Sequence, residues 1–442
     1  MSSRRVALAD LASNIRNAIV GGPFGSNLVS NDYVAAGVPV IRGQNMGSRW
    51  ITGPFAFVTT EKAASLSQNL ARPGDLVFTQ RGTLGQVALV PDGPFARYVV
   101  SQSQMKITVD PSKADANFLY YLFLTPQQQQ YIFNSAIQTG VPHTNLGILK
   151  ATPIDLPPLP AQREIAALCG ALDDRIDALR ETNATLGAIA QALFKSWFVD
   201  FDPVRAKSQG LAPAGIDEAT AALFPNAFEE SVLGLVPRAW ATEPVGQVVE
   251  GIYDGPHATP AEADDGPIFL GIKNLTGSGL DFSDVRHIAE ADFAQWTRRV
   301  LPQAGDIVFS YEATLGFFAI VPPGLRCCLG RRLALIRPRV GGVDSHFLFH
   351  QFIAAPFQRL LERHTIHGAT VNRIALKQFP SYPVLNPPAK LKAAFSDAVA
   401  PLWARIHENQ SCAQTLATLR DTLLPRLIAG QLRLPEAEQA LA

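Results

Sequence analysis

At 442 residues the chain is longer than one ordinary hydrophobic core organises, so two or more domains are expected. With 47% hydrophobic and 17% charged residues it is not a disordered chain, and no apolar run approaches the roughly 20 residues that span a bilayer. A net charge of zero argues against strong autonomous binding to a polyanion.

The N-terminus, MSSRRVALADLASN, has two arginines but no long apolar stretch before a small-residue cleavage site. It reads as neither a secretory signal nor an anchor, which places the expected location in the cytoplasm. A short helix then leads into a Gly-Pro loop that opens at Gly22. The runs VPVIRG, DLVFTQ and QVALVP, separated by Gly, Pro and Asp, predict strands. ANFLYYLFLTPQQQQYIF carries apolar residues at helical spacing, and PIDLPPLP after it predicts an extended connector that opens a helix.

From Ala161 to Phe198 the pattern is a long helix, spanning about 57 Å at ~1.5 Å per residue. Ile165, Leu172, Leu179, Leu186 and Leu193 fall at strict heptad spacing, with Ile176, Asn183, Ala190 and Trp197 at positions four further on. The second half of the chain repeats the series of elements: a Gly-Pro loop at Gly255, strand-like runs, the helical stretch SHFLFHQFIAAPFQRLLERH and the connector SYPVLNPP. A second heptad series closes it, with Phe395, Leu402, Asn409, Leu416 and Leu423 at one position and Val399, Ile406, Ala413 and Leu427 at the other. Sustained heptads predict coiled-coil partners; the alternative is two amphipathic helices, each lying on its own domain. Asn183 and Asn409 occupy seam positions, where Asn either fixes register or is simply solvated.

The halves align. RPGDLVFTQRGTLGQVALVP, from Arg72, matches QAGDIVFSYEATLGFFAIVP, from Gln303, at an offset of 231 residues. Pro39 with Pro267, Asp115-Ala-Asn-Phe-Leu with Asp344-Ser-His-Phe-Leu, and Gly140 with Gly368 keep nearly that distance. Ordered matches at a steady offset identify a tandem repeat.

Catalytic signatures are missing. The sequence has no GxxxxGK[ST] phosphate loop, no HExxH and no GxSxG. Asn386-Pro387-Pro388-Ala389 resembles the tetrapeptide of amino-methyltransferases but lacks its aromatic, and the repeat explains it as a helix-opening connector. The four cysteines show no zinc spacing and read as ordinary small apolar residues. No catalytic, metal or cofactor site is expected in this chain.

Polar residues at loop tips and strand ends do stand out. The first copy offers Arg42, Gln44 and Asn45, then Gln80, Arg81 and Thr83, then Gln102 and Gln104, then His143, Thr144 and Asn145. The second offers Lys273 and Asn274, Tyr311, Glu312 and Thr314, Arg331 and Arg332, then His367, Thr370 and Asn372. Arg, Lys, Gln and Asn are the side chains that read base edges bidentately, although each is also a common turn or surface residue. Corresponding loops stay polar while their identities change: Arg42-Gly-Gln-Asn faces Gly271-Ile-Lys-Asn, and Thr79-Gln-Arg-Gly faces Ser310-Tyr-Glu-Ala. A retained scaffold with changed tips is the pattern of two readers of two different sequences. Between Asp281 and Arg373 there are 11 Arg against 8 acidic residues, which suits phosphate or guanine contacts or reflects genomic base composition.

These residues resemble the specificity (S) subunit of type I restriction-modification systems. The carriers are Gly22-Pro23-Phe24-Gly25-Ser26 with Asp32-Tyr33, Pro39 to Gly43, Pro73-Gly74-Asp75 with Arg81-Gly82-Thr83, and Leu156 to Gln162. Phe194 to Pro203, Pro237 to Trp240 and Asp254 to Pro260 complete the series, which covers nearly the whole chain. The resemblance implies an α+β protein: two tandem α/β target-recognition domains separated by two long conserved helices packed as an antiparallel coiled coil, with a pseudo-two-fold internal repeat. The domains would span residues 1–155 and 209–385, and the helical spacers 156–208 and 386–442. Each domain would read one half of a split site in double-stranded DNA. Two modification (M) subunits, carrying S-adenosylmethionine for adenine methylation, and the translocating and cleaving restriction (R) subunits would be its partners. The second Gly-Pro loop has His257-Ala258-Thr259 where the first has Phe-Gly-Ser, so the two domains are expected to differ in subtype. The alternative is a coiled-coil scaffold whose duplicated domains bind proteins.

Overall fold

The computed structural model describes residues 4–138, 142–339, 343–368 and 371–432. They pack as two compact units, one drawn from residues 1–178 and 415–442, the other from 179–414.

Six strands scaffold the first unit: β1 (Ile19–Gly21), β2 (Val38–Ile41), β3 (Leu76–Thr79), β4 (Val87–Leu89), β5 (Tyr98–Val100) and β6 (Gln104–Ile107). β1, β6, β3 and β4 lie side by side in an antiparallel sheet, while β2 and β5 pair in parallel at the centre of a second sheet. The predicted strands VPVI, LVFT and VAL are all here, each buried along its whole length. Alternation explains why Leu76, Val77 and Phe78 of β3 are all apolar. Leu76 and Phe78 join the helix-side core with Phe118 and Phe123, whereas Val77 joins the core between the sheets with Ala88, Val100 and Ile41.

The second unit repeats this with β7 (Val249–Asp254), β8 (Ala263–Leu270), β9 (Ile307–Ser310), β10 (Phe318–Ile320), β11 (Cys327–Leu329) and β12 (Leu333–Pro338). The antiparallel sheet runs β7-β12-β9-β10, and β8 pairs in parallel with β11. The two units therefore share strand order as well as sequence, and the repeat is structural.

Two details depart from the sequence reading. Each helical stretch is broken in two, Ala116–Leu124 with Pro126–Ser135 and Val343–Ile353 with Ala355–Arg363. In the first, Pro126 starts the second helix, and the Thr125 hydroxyl accepts from Gln128 N to cap it. The Pro-rich connectors are extended as expected, but they are also strands: Pro153–Leu156 pairs with Arg4–Ala7, and Pro383–Asn386 with Ala241–Pro244. Asn386 donates to Glu243 there at 2.9 Å, and a helix opens at Ala389, as expected of a connector that leads into one.

The Asp of the Pro73-Gly74-Asp75 motif is a buried hub. Its carboxylate accepts from Arg72 N, Thr108 Oγ1 and Lys106 Nζ, the last at 3.1 Å with both side chains buried. In the second unit Asp306 accepts from Gln303 N and from the guanidinium of Arg337, which stands at the register position of Thr108 and supplies the cation that Lys106 supplies in the first unit. Both copies thus clamp the residue just before β3 or β9 to the neighbouring strand with a paired, fully bonded charge.

The long helices are α1 (Leu159–Phe198) and α2 (Ala389–Ile428). In the first unit Ile165 and Cys169 of α1 share a core with Leu423, Leu424 and Leu427 of α2. In the second, Phe194, Trp197 and Phe198 of α1 pack with Leu391, Phe395 and Val399 of α2. The helices run antiparallel there: Asn183 meets Asn409, and Phe194 lies 5.5 Å from Phe395. Among the heptad residues Ile165, Leu172, Leu179, Phe395 and Leu423 are buried, while Leu186, Leu193, Leu402 and Leu416 are half-buried. Arg420 breaks the second series. It fills a seam position and forms an ion pair with Asp173, which also accepts from Tyr121 at 2.7 Å. No described helix is long and apolar enough to cross a membrane.

Candidate nucleic-acid interface

The topology gathers most of the polar loop tips on one rim of each unit. In the first, β1, β2, β3 and β5 end, and β6 begins, at the same edge of the paired sheets. The Gly-Pro loop leaves β1 there, Arg42 follows β2, Gln80 and Arg81 follow β3, and Ser101 to Ser103 join β5 to β6. Backbone bonds tie the tips together: Gln80 N and Arg81 N donate to Ser103 O, and Thr144 N donates to Gln80 O. A bridge between Arg81 and His143 brings in the third loop.

Glycine is required where the Gly-Pro loop begins. A Cβ on Gly22 would lie 1.8 Å from Ser101 O, and one on Gly255 would lie 2.6 Å from Gly330 O. Both distances are far inside van der Waals contact, so the recurring Gly marks a close crossing of two rim segments. Beside Gly22, an open cleft of about 360 Å³ is lined by Arg42, Tyr33, Ser101, Gln102 and Ser103 together with the loop from Gly25 to Ser30. Arg42 Nε is buried in this wall with no hydrogen-bond partner among the described residues. Phe24 stands at the loop tip, 79% exposed.

The second rim is built by the same bonds with other side chains. Tyr311 N donates to Arg332 O, Ile374 N donates to Tyr311 O, and Glu312 bridges Arg373. Asp254 is its hub. One carboxylate oxygen accepts from Tyr311 Oη at 2.7 Å, and the other meets His257 Nε2 at 2.7 Å with Arg299 Nη1 at 3.7 Å. Burial, and then the Asp254 charge, push the Tyr311 phenol well above its ordinary pKa, so it stays a donor.

Five of the sequence candidates are buried: Thr144, whose N–H is donated to Gln80 O, and four that serve the loops themselves. Asn45 accepts from Arg42 N and donates to Thr52 O and Pro54 O. Asn274 does the same in the second copy, accepting from Gly271 N and donating to Asp281 O and Asp284 O. Gln104 is 1% exposed and bonded to Ser101, and Tyr311 is held by Asp254. These side chains offer no open edge. Gln102 is exposed, but its amide donates to Gly25 O and Leu28 O and so pins the Gly-Pro loop. Asn145 caps the helix Leu146–Ala151 through Ile148 N.

Arg81, Thr83, Thr314, Arg331, His367 and Asn372 are exposed on the rims, and Gln80, His143, Glu312 and Arg332 are half-exposed. Gln44 and Lys273 occupy matching exposed positions; Gln44 donates to Pro54 O, and Lys273 pairs with Asp284. Thr370 lies outside the described residues. Sequence reasoning passed over Phe24, Tyr33, Asp254 and His257. All four stand in motifs quoted for their family resemblance, and that recurrence was the available signal.

A duplicated scaffold with one tied loop cluster per unit, diverged in side chain, defines the class: a tandem-repeat α+β protein. Residues 28–187 match the family model of the type I restriction modification DNA specificity domain. The chain is 25% identical over 436 residues to the type I restriction enzyme MjaIX specificity subunit of Methanocaldococcus jannaschii, covering 95% of this chain and 92% of that protein. It is 24% identical to the HindI specificity subunit of Haemophilus influenzae, covering 82% and 87%. The crystal structure of a type I restriction-modification system S subunit from M. genitalium shares the fold, with a TM-score of 0.50, 15% identity and 96% of each chain covered. The resemblance read from the sequence therefore stands: over nearly its whole length the chain is similar to type I specificity subunits. These likenesses favour the DNA-specificity reading over the scaffold reading.

Proposed function

We propose that this chain is the DNA sequence-specificity subunit of a type I restriction-modification complex, each rim reading one half of a bipartite target. The observation that carries this reading is the pair of rims: one set of backbone bonds, two sets of exposed side chains. Arg81 stands where Glu312 stands, Gln102 where Arg331 stands, and His143 where Arg373 stands. Base edges in the major groove are discriminated by such donor and acceptor changes.

The proposed domain map is two recognition domains, residues 1–155 and 209–385, and two helical spacers, 156–208 and 386–442. The helices dock two methyltransferase (M) subunits, which hold S-adenosylmethionine; the chain itself holds no cofactor and catalyses nothing. Restriction subunits complete the assembly in the cytoplasm. A partner that encloses the duplex supplies much of the phosphate neutralisation that dominates affinity, which reconciles DNA binding with zero net charge. The test is genome-wide adenine methylation in a host expressing the chain with its neighbouring M subunit. A split motif that changes in one half when residues 21–155 are exchanged is expected. No motif dependent on this chain, with M active and bound, would overturn the reading.

A further inference from the structure

The second unit has an apolar groove that the rims do not use. It encloses about 480 Å³, with Phe198 and Phe201 at the end of α1 and Leu360 among its walls. One lip is the hairpin of Phe228–Ser231 and Gly234–Pro237, whose Val232, Leu233 and Leu235 are 82%, 43% and 60% exposed. Water-facing aliphatic side chains on a hairpin tip cost solvation unless something covers them.

Among the described residues, three guanidiniums and no carboxylate line the groove: Arg205, Arg359 and Arg363. Arg205 is engaged with Asp200 O and the Phe228 ring. Arg359 and Arg363 are exposed, and among the described residues neither has an ion-pair partner. They project from the helix Ala355–Arg363, whose Phe357, Leu360 and Leu361 are buried. The first unit has no equivalent charge. Gln129 there donates to Gly85 O and Phe123 O just as Gln358 donates to Gly316 O and Phe352 O, which sets the register between the two helices. In that register Gln130 and Asn134 replace Arg359 and Arg363.

We infer that this groove docks an apolar protein segment flanked by carboxylates, once per chain. The apolar floor specifies the aliphatic or aromatic side chains, and the unpaired guanidiniums specify the acidic flank. Because the basic pair exists in one unit only, the site breaks the pseudo-symmetry of the repeat and takes a single occupant. This goes beyond the DNA reading and does not depend on it.

Fluorescence anisotropy of the full chain tests it with two labelled helical peptides, each with leucine on one face, bordered by glutamate in one and by lysine in the other. The glutamate peptide is expected to bind at one per chain. Arg359→Glu/Arg363→Glu is expected to weaken it about tenfold, two surface charge pairs being reversed, and to leave the methylation motif unchanged. Val232→Asp is expected to weaken both peptides. Equal binding of both peptides, two sites per chain, or no effect of the arginine reversal would overturn the inference. So would self-association of the chain abolished by Val232→Asp, which would seat a second copy in the groove.

Discussion

Asn409 Nδ2 donates to Asn183 Oδ1 at 2.8 Å, and Asn183 Nδ2 donates in turn to Ile406 O at 3.3 Å. The two seam asparagines face one another across the helix pair, with Asn409 buried. Removing one amide leaves the other unsatisfied. Asn183→Leu is therefore expected to cost about 1–3 kcal/mol. The double variant Asn183→Leu/Asn409→Leu is expected to recover most of that loss, at the cost of register. Urea midpoints of the two single variants and the double variant check this. Additive losses would show that the asparagines do not act as a pair.

The buried pair Asp75–Lys106 gives a second expectation. Asp75→Ala strands an ammonium group beside Thr108 and frees Arg72 N, so a loss of about 3–5 kcal/mol is expected. Asp75→Ala/Lys106→Met should be milder, because the remaining partner is apolar. Thermal melts of both variants decide it, and equal destabilisation would contradict the account.

Recognition should separate by rim. Arg81→Ala is expected to relax one half of the methylated motif, and Arg331→Ala the other half. Each base contact is worth roughly 1–3 kcal/mol of discrimination. Asn45→Ala, by contrast, is expected to lower thermal stability before it changes any base preference, since its amide is consumed within the loop. Sequencing of modified adenines together with melting curves distinguishes these outcomes. A motif change in both halves from either arginine would end the two-reader map.

Acid should weaken the second unit. His350 is buried and its Nε2 accepts from Trp403 Nε1 at 3.2 Å, while the His346 ring stacks on Trp403. Burial first, and then the neighbouring histidine, lower His350 from 6.5 to about 3 and His346 to about 4. Burial lowers His407 as well. Below about 6.5 the unfolded chain binds protons that the folded chain refuses, so stability present at neutral pH falls as pH drops towards 4. Each such histidine contributes a slope of up to about 1.4 kcal/mol per pH unit. His350→Gln should flatten the fall in urea midpoint between pH 7 and 5; an already flat wild-type profile would contradict the assignment.

The tandem repeat was legible because ordered matches recur at a steady offset of about 230 residues, and the strands β2, β3 and β4 and both long helices because each rests on a short-range pattern. A strand buried on both faces reads as a short continuous apolar run bounded by Gly, Pro or Asp, and a packed helix as apolar residues recurring every 3.5 to 3.6 positions. The division of each helical stretch at Thr125-Pro126 and Ala354-Ala355 was less visible, since an apolar face continues across the break.

The polar tips were legible only as positions. Asn45 and Gln44 are adjacent amides in one loop, yet Asn45 is enclosed by Thr52 O and Pro54 O while Gln44 faces solvent. Tyr311 is held by Asp254, 57 residues earlier, and Asp173 answers Arg420, 247 residues later. By itself the sequence determined that two like scaffolds exist and where their polar loops fall, because those follow from local pattern. Which loop residues close on their own backbone and which stay open to a partner was decided only by the tertiary structure. The reason is that a hydrogen bond is satisfied by whatever the fold brings within about 3 Å, however far away along the chain.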